Sequence, residues 1–239
     1  MTEFLPQPNQ PESAAARYPT PPANATPAEQ QAYERGLWNH HLLDPTWRST
    51  RFNAQPNALL VEAVQGRQAG RALDVNMGEG RNALYLAQQG WHVTGIDIAD
   101  QALAFAQQRA QQLGVQLTTI EHDANTYEWG HNHWDLIVLC YADEATHVAQ
   151  VQAALKPIGL LVFENFHTDV NQARGNTSGK TIGFATNELK NLYIAAGFHI
   201  LRYEEPIAIA DFSQEMQRLV KLVAQKGVVE GRRQSGSLT

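Results

Sequence analysis

A single cysteine, Cys140, is all the thiol chemistry in this 239-residue chain. That excludes an internal disulfide framework and fits a reducing compartment. A basic surplus is missing too, since 18 Lys and Arg stand against 24 Asp and Glu, a formal charge of −6. The basic residues are scattered and Arg232-Arg233 is too short to form a patch, which argues against a nucleic-acid partner. No run approaches the roughly 20 consecutive apolar residues of a membrane span. The first residues have neither the basic nor the apolar region of a secretion signal. These absences predict a cytoplasmic protein without membrane contact. The histidines show no metal-ligand spacing: His131-x-His133 and His40-His41 read as solvated pairs, and no metal is expected. Internal repeats are absent.

What the chain does have is concentrated in Leu73–Ala87, LDVNMGEGRNALYLA. The apolar run Ala72-Leu73-Asp74-Val75 reads as a strand. It opens into a turn at Gly78 and Gly80, then into a helix with Ala83, Leu86, Ala87 and Gly90 on one face. Such a unit aims backbone N–H groups and a positive helix end at a nucleotide-like ligand. The glycines leave space for that ligand or permit positive φ. The acid closing the next strand, Gly95-Ile96-Asp97, sharpens the signal, because a carboxylate there accepts hydrogen bonds from ribose hydroxyls. The segment reads as a nucleoside-cofactor site.

Around it the chain divides into four stretches. Residues 1–25 are rich in Pro, Ala, Gln and Asn and are expected to be flexible. Residues 26–66 hold N-terminal helices, the first opened by the capping-box pattern Thr26-Pro27-Ala28-Glu29 and a later one spanning Pro56 to Val64. From residue 67 to 226 strands are predicted at 71–75, 92–97, 116–121, 135–140 and 159–164. Helices are predicted at 81–89, 100–113, 143–155 and 187–195. Leu136–Cys140 and Leu160–Phe163 are continuous apolar runs, as in parallel strands covered on both faces. His199–Tyr203 and Leu219–Val223 lack a crossover helix between them, so an antiparallel pair is expected. Residues 227–239 read as a polar tail.

In order and spacing these motifs resemble the class I S-adenosylmethionine (SAM) methyltransferases, from Leu73 to about Lys226. Asp74-Val75-Asn76-Met77-Gly78-Glu79-Gly80 matches the first glycine motif, and Asp97 the ribose-binding acid. Asp123, in His122-Asp123-Ala124, matches the adenine-binding position. Trp134-Asp135-Leu136-Ile137 and Leu155-Lys156-Pro157-Ile158-Gly159 match the fourth-strand motif and the lead-in to the fifth. GRNALYLAQQGWHVTGID looks most like the small-molecule branch near tellurite-resistance and thiopurine methyltransferases. The resemblance implies a Rossmann-like α/β three-layer sandwich, with a seven-stranded, mostly parallel sheet and an antiparallel last strand. It implies that SAM is the cofactor and S-adenosylhomocysteine (SAH) the product. The implied cofactor residues are Asp74, Asn76, Gly78, Gly80, Asn82, Asp97, Ile98, Asp123, Ala124 and Cys140. Two positions depart from the pattern: Asn76 stands where the first glycine belongs, and Ile158 replaces a glycine before the fifth strand. Asn tolerates the left-handed region, yet its side chain could intrude on the cofactor.

A small-molecule methyl acceptor would sit outside the carboxyl ends of the fourth and fifth strands, near Tyr141, Asp143, Glu164, Asn165 and His167. Glu164 and His167 are candidates for a general base and Tyr141 for a further catalytic group, although methyl transfer needs alignment and desolvation more than proton transfer. Asp143 reads equally as a helix cap, Asn82 alternatively as a group that only satisfies backbone, and Cys140 as a small buried hydrophobe rather than a nucleophile. Arg81 is expected to reach a carboxylate, Asp74 or one on a ligand. Tyr33, Trp38, Trp47, Arg51 and Phe52 make the N-terminal helices a candidate lid, or else a permanently packed edge. Two other readings stay open: a catalytically impaired binding protein, suggested by Asn76, and an NAD-binding Rossmann protein, since Gly78-x-Gly80-x-x-Ala83 fits the dinucleotide pattern. The acceptor's identity and the oligomeric state are not legible.

Overall fold

The computed structural model describes residues 22, 24–142, 145–173 and 181–227. Nearly all of the expected flexible segment, Asp143, part of the loop before residue 186 and the tail beyond residue 227 therefore lie outside the described residues.

Helix α1 (Pro27–Leu42) starts where its capping box sits. Thr26 Oγ1 accepts the Glu29 N–H at 3.3 Å, and Glu29 Oε2 accepts the Thr26 N–H at 2.8 Å. Asp44 caps a short second helix, α2 (Pro45–Arg51), and Asn57 caps α3 (Ala58–Val64). Strands and helices then alternate through β1 (Arg71–Val75), α4 (Arg81–Gln88), β2 (His92–Asp97), α5 (Asp100–Leu113), β3 (Thr118–Glu121) and β4 (Trp134–Cys140). There follow α6 (Val148–Ala154), β5 (Leu155–Phe166), α7 (Val170–Ala173), α8 (Glu188–Ala195), β6 (Phe198–Glu204), β7 (Ile207–Ile209) and β8 (Met216–Lys226).

The sheet order is β3-β2-β1-β4-β5-β8-β6. β1 to β5 are parallel, and β8 enters antiparallel between β5 and β6. This is the expected seven-stranded arrangement with one addition: three residues of β7 pair with β8 beyond the end of β6. Alternation along each buried strand splits the core into two layers. Leu136, Val138, Leu160 and Val162 face α3, α4 and α5, packing with Leu59, Leu60, Leu84 and Ala106. Ile137, Leu139, Leu161 and Phe163 face α6 and α8, packing with Val151, Leu189 and Tyr193. Apolar residues on both faces are the reason these strands read as unbroken apolar runs.

Two expected starting points move furthest. The helix predicted over 143–155 begins at Val148, with His147 in the left-handed region as its N-cap (φ 49°). The fifth strand starts at Leu155 rather than 159, because Trp134 pairs with Leu155 before a register shift brings Leu136 opposite Leu160. Ile158 sits in that irregularity at φ 62°, with its side chain 64 % exposed. A β-branched residue there is strained, since the fold asks for a glycine-like turn.

Candidate functional site

At the carboxyl ends of β1, β2, β4 and β5 a cavity of about 910 Å³ opens beneath α1 and α2. It brings together Asp74, Asn76, Gly78, Asn82, Asp97, Ile98, Asp123, Ala124, Cys140 and Tyr141. Gly78, at φ 57°, has nothing within 4 Å of where a Cβ would be, so its backbone faces open space. Its N–H donates to Asp97 Oδ2 at 2.8 Å, while Ala99 N–H donates to Oδ1 at 2.8 Å. These N–H groups oppose the burial that pushes the Asp97 carboxyl up. Asp74 is 2 % exposed and its Oδ2 has no hydrogen-bond partner among the described residues. Burial pushes its carboxyl up to about 7, against the pull of Arg81 and the Ala83 N–H.

Other predicted positions turn out to be engaged within the protein. Asn76 takes φ 51°, the left-handed conformation an asparagine tolerates, and its Nδ2 donates to Ala142 O at 2.9 Å. Asn82 is buried, and its Oδ1 accepts the Asn57 N–H at 2.9 Å, joining α4 to the cap of α3. Asp123 Oδ1 accepts the Asn125 N–H at 2.9 Å in a local turn. Gly80 does not line the cavity. A Cβ on it would meet Ala106 Cβ at 3.1 Å, so this glycine serves the packing of α4 on α5. The Cys140 thiol is buried and pushed well up, which keeps it protonated.

On the β4–β5 side only part of the expected acceptor group reaches the cavity. Tyr141 and Asn165 line it; Glu164 and His167 do not. Glu164 lies behind Tyr141, accepting its hydroxyl proton at Oε1 (2.9 Å), with Lys221 Nζ 3.0 Å from Oε2. Burial and the negative charges of Glu164 and Asp211 push the Tyr141 phenol up, so it stays protonated. His167 is buried away from the cavity. Its Nδ1 accepts the Asp169 N–H at 3.2 Å and its Nε2 lies 3.0 Å from Thr186 Oγ1, leaving neither nitrogen for an acceptor.

Residues 72–159 match the family model described as a methyltransferase domain. That match runs from β1 through β4 to the start of β5 and takes in the glycine turn and Asp97. Putative methyltransferase GWCH70_2453 of Geobacillus sp. (strain WCH70) is 35% identical over 134 residues, covering 49% of this chain and 54% of that protein. The chain thus spans about half the length of the curated relatives it matches. Among solved structures, magnesium protoporphyrin IX methyltransferase (ChlM) of Synechocystis PCC 6803, with bound SAH, superposes with TM-score 0.60 at 19% identity, covering 82% of this chain and 99% of that one. TehB of Haemophilus influenzae gives TM-score 0.58 at 21% identity, covering 71% of this chain and 62% of that one. At these identities the structural likeness is one of fold.

Above the cavity the N-terminal helices are tied down at several points. Asn39 Nδ2 donates to Asp100 Oδ1 at 2.6 Å, and Arg48 grips Glu79 with two hydrogen bonds of 2.7 and 2.6 Å. The Arg48 guanidinium also stacks 3.9 Å above the Phe105 ring. Tyr33, Trp38 and Phe52 face the cavity, whereas Trp47 stacks on His41 at 4.5 Å and Arg51 lies outside the lining. Arg81 reaches neither Asp74 nor open solvent but Asp211, at 2.7 Å. Asp211 also accepts from Asn53 Nδ2 at 2.9 Å and Asn57 Nδ2 at 2.7 Å, and its N–H donates to Tyr141 Oη at 3.3 Å. The sequence reading missed Asp211 and Phe212: they occupy an unpatterned loop between β7 and β8, and no local signal marks them. Among the described residues no group of three or more His, Cys, Asp or Glu is arranged to hold a metal, and no helix is long and apolar enough to cross a membrane.

Proposed function

We propose that this chain binds SAM in the roofed cavity and transfers its methyl group to a small-molecule acceptor, leaving SAH. The observation that carries this reading is the unpartnered, buried Oδ2 of Asp74, a residue that lines the same cavity as Asp97. Buried carboxylate oxygens are rarely left without a donor, and a ligand that brings an amino N–H to Asp74 and sugar hydroxyls to Asp97 supplies one. Ile98 and Ala124 offer apolar contact to a base, Asp123 an acceptor for its amino group, and Gly78 a backbone without a side chain in the way. When bound, the cofactor supplies a methyl group on a positively charged sulfur.

The chain's own contribution is alignment and exclusion of water. Tyr141 Oη, with its proton committed to Glu164, keeps a lone pair for a donor on the acceptor and so orients the nucleophile. Glu164 acts through Tyr141 and touches no acceptor itself. Asn165 provides a second polar contact at the strand end. The N-terminal helices form the roof, and Trp38 and Phe52 keep bulk water from the reacting atoms.

Titration calorimetry with SAM, SAH and NAD tests the reading. SAH is expected to bind, and Asp97→Asn to weaken it roughly tenfold to a hundredfold, the worth of a hydrogen bond to a charged group. No heat with either SAM or SAH overturns the proposal. Binding of NAD alone points to a dinucleotide site, and tight SAH binding without turnover on any acceptor to a silent binding protein.

A further inference from the structure

The cavity has an aromatic wall that the cofactor-holding groups do not account for. Rings run edge to face from the floor to the roof, with centroid separations of 5.2 Å for Tyr141–Phe166, 6.4 Å for Phe166–Phe212, 5.2 Å for Phe212–Phe52 and 6.2 Å for Phe212–Trp38. Each of these five rings lines the cavity. Tyr141, Phe212, Phe52 and Trp38 are only half-buried, so they present apolar area to the cavity instead of to the core. Leaving such faces wet is unfavourable, and a ligand ring that covers them recovers that area plus an edge-to-face or offset contact.

Charge narrows the choice further. Six carboxylates and three guanidiniums line the cavity among the described residues. Arg48 is committed to Glu79 and Arg81 to Asp211, at 2.6 and 2.7 Å. The third, Arg109, lies on α5 (Asp100–Leu113) nine positions beyond its first residue, about 13 Å along the axis by helical rise. Among the described residues no uncommitted cation therefore stands beside the aromatic wall. An anionic acceptor brought there would be desolvated with no counter-charge from these side chains and with Asp211 as neighbour, which is unfavourable.

We propose that the acceptor is a neutral, apolar, ring-bearing molecule that lies against Phe166, Phe212 and Phe52 with its nucleophilic group at Tyr141 and Asn165, and that carboxylates and inorganic oxyanions are excluded. This rests on the reading of the cavity as a methyl-transfer site. Arg81 is the specificity-determining group: its pairing with Asp211, the residue next to Phe212 of the wall, neutralises a guanidinium that would otherwise attract an anion.

Titration calorimetry on the full chain, with and without saturating SAH, uses 2-naphthol, 2-naphthoate and tellurite as probes. 2-Naphthol is expected to bind at least about tenfold more tightly than 2-naphthoate, and tellurite to give no heat. Phe212→Ala should weaken 2-naphthol roughly threefold to tenfold, the worth of one aromatic contact, while SAH affinity holds. Asp211→Asn, which releases the Arg81 charge, should shift the preference toward 2-naphthoate by about tenfold. The proposal is overturned if 2-naphthoate or tellurite binds as well as 2-naphthol. It is equally overturned if Phe212→Ala, with an unchanged circular dichroism spectrum, leaves 2-naphthol affinity intact. Failure of SAH to bind, with the 2-naphthol preference intact in the bare protein, removes the cofactor reading and leaves the acceptor class standing. SAH binding without that preference removes the acceptor class alone.

Discussion

Asp74→Asn should make the apo-protein more stable and the cofactor complex weaker, with the first effect growing as pH rises. Burial holds the folded carboxyl at about 7, and in the unfolded chain the same group titrates near 4. Between those values the folded state binds the extra proton, so stability falls as pH increases, and the loss is complete above about pH 7. A gap of about three pH units corresponds to about 4 kcal/mol. Asn carries no such proton and keeps the oxygen that accepts the Ala83 N–H. The advantage of Asp74→Asn should therefore rise from about 1.5 kcal/mol at pH 5 to about 4 kcal/mol at pH 8. Urea unfolding followed by tryptophan fluorescence at several pH values measures it. At pH 8 the same substitution should cost SAH roughly tenfold to a hundredfold in affinity, because a charge-assisted hydrogen bond is lost. A constant stability gap, or a destabilised variant with normal SAH binding, would show that Asp74 braces the turn and is not held ready for a ligand.

The same proton links binding to pH. SAH affinity should climb by up to about tenfold per unit as pH approaches 7 and then level off, with proton uptake by buffer visible in calorimetry; a flat profile from pH 5.5 to 8 would contradict it. Ile158→Gly should raise stability by about 1 kcal/mol, or a few degrees in Tm, because it relieves φ 62° at a side chain already 64 % exposed. A lower Tm would mean that the side chain packs usefully. Tyr141→Phe should leave SAH binding nearly intact and lower the turnover number, and should destabilise the fold by roughly 1–3 kcal/mol by stripping Glu164 of its donor. Unchanged turnover would remove Tyr141 from acceptor alignment.

What the sequence revealed was local. The strand, glycine turn and helix around Gly78, the acid at the end of β2, and the α5 bounds from Asp100 to Gly114 are written in consecutive residues, and their spacing suffices to place them. The end of β5 shows where that stops. Glu164 and Asn165 are neighbours in one strand, so they point to opposite faces, and the apolar run before them identifies the strand end without saying which residue meets the cavity. Asn165 does; Glu164 turns beneath Tyr141 toward Lys221 of β8. His167 is taken by Thr186, and Arg81 by Asp211, partners supplied by distant loops that carry no pattern of their own. The missed part of the site is the part built from long-range pairing.

Asn76 decides between an active and an impaired pocket, and the two make opposite forecasts for Asn76→Gly. If the side chain blocked the cofactor, removing it would raise SAH affinity by far more than tenfold, since a steric clash is relieved at once. In the structure Nδ2 is instead bonded to Ala142 O, bridging the β1 turn to the segment after β4. The substitution then removes that hydrogen bond, worth about 1 kcal/mol, and relieves a left-handed asparagine, two terms of similar size and opposite sign. Stability should move by less than about 1 kcal/mol and SAH affinity by less than about threefold, read from calorimetry and urea unfolding side by side. A gain beyond tenfold would mean that the asparagine fills cofactor space, and that the fold here serves binding more than turnover.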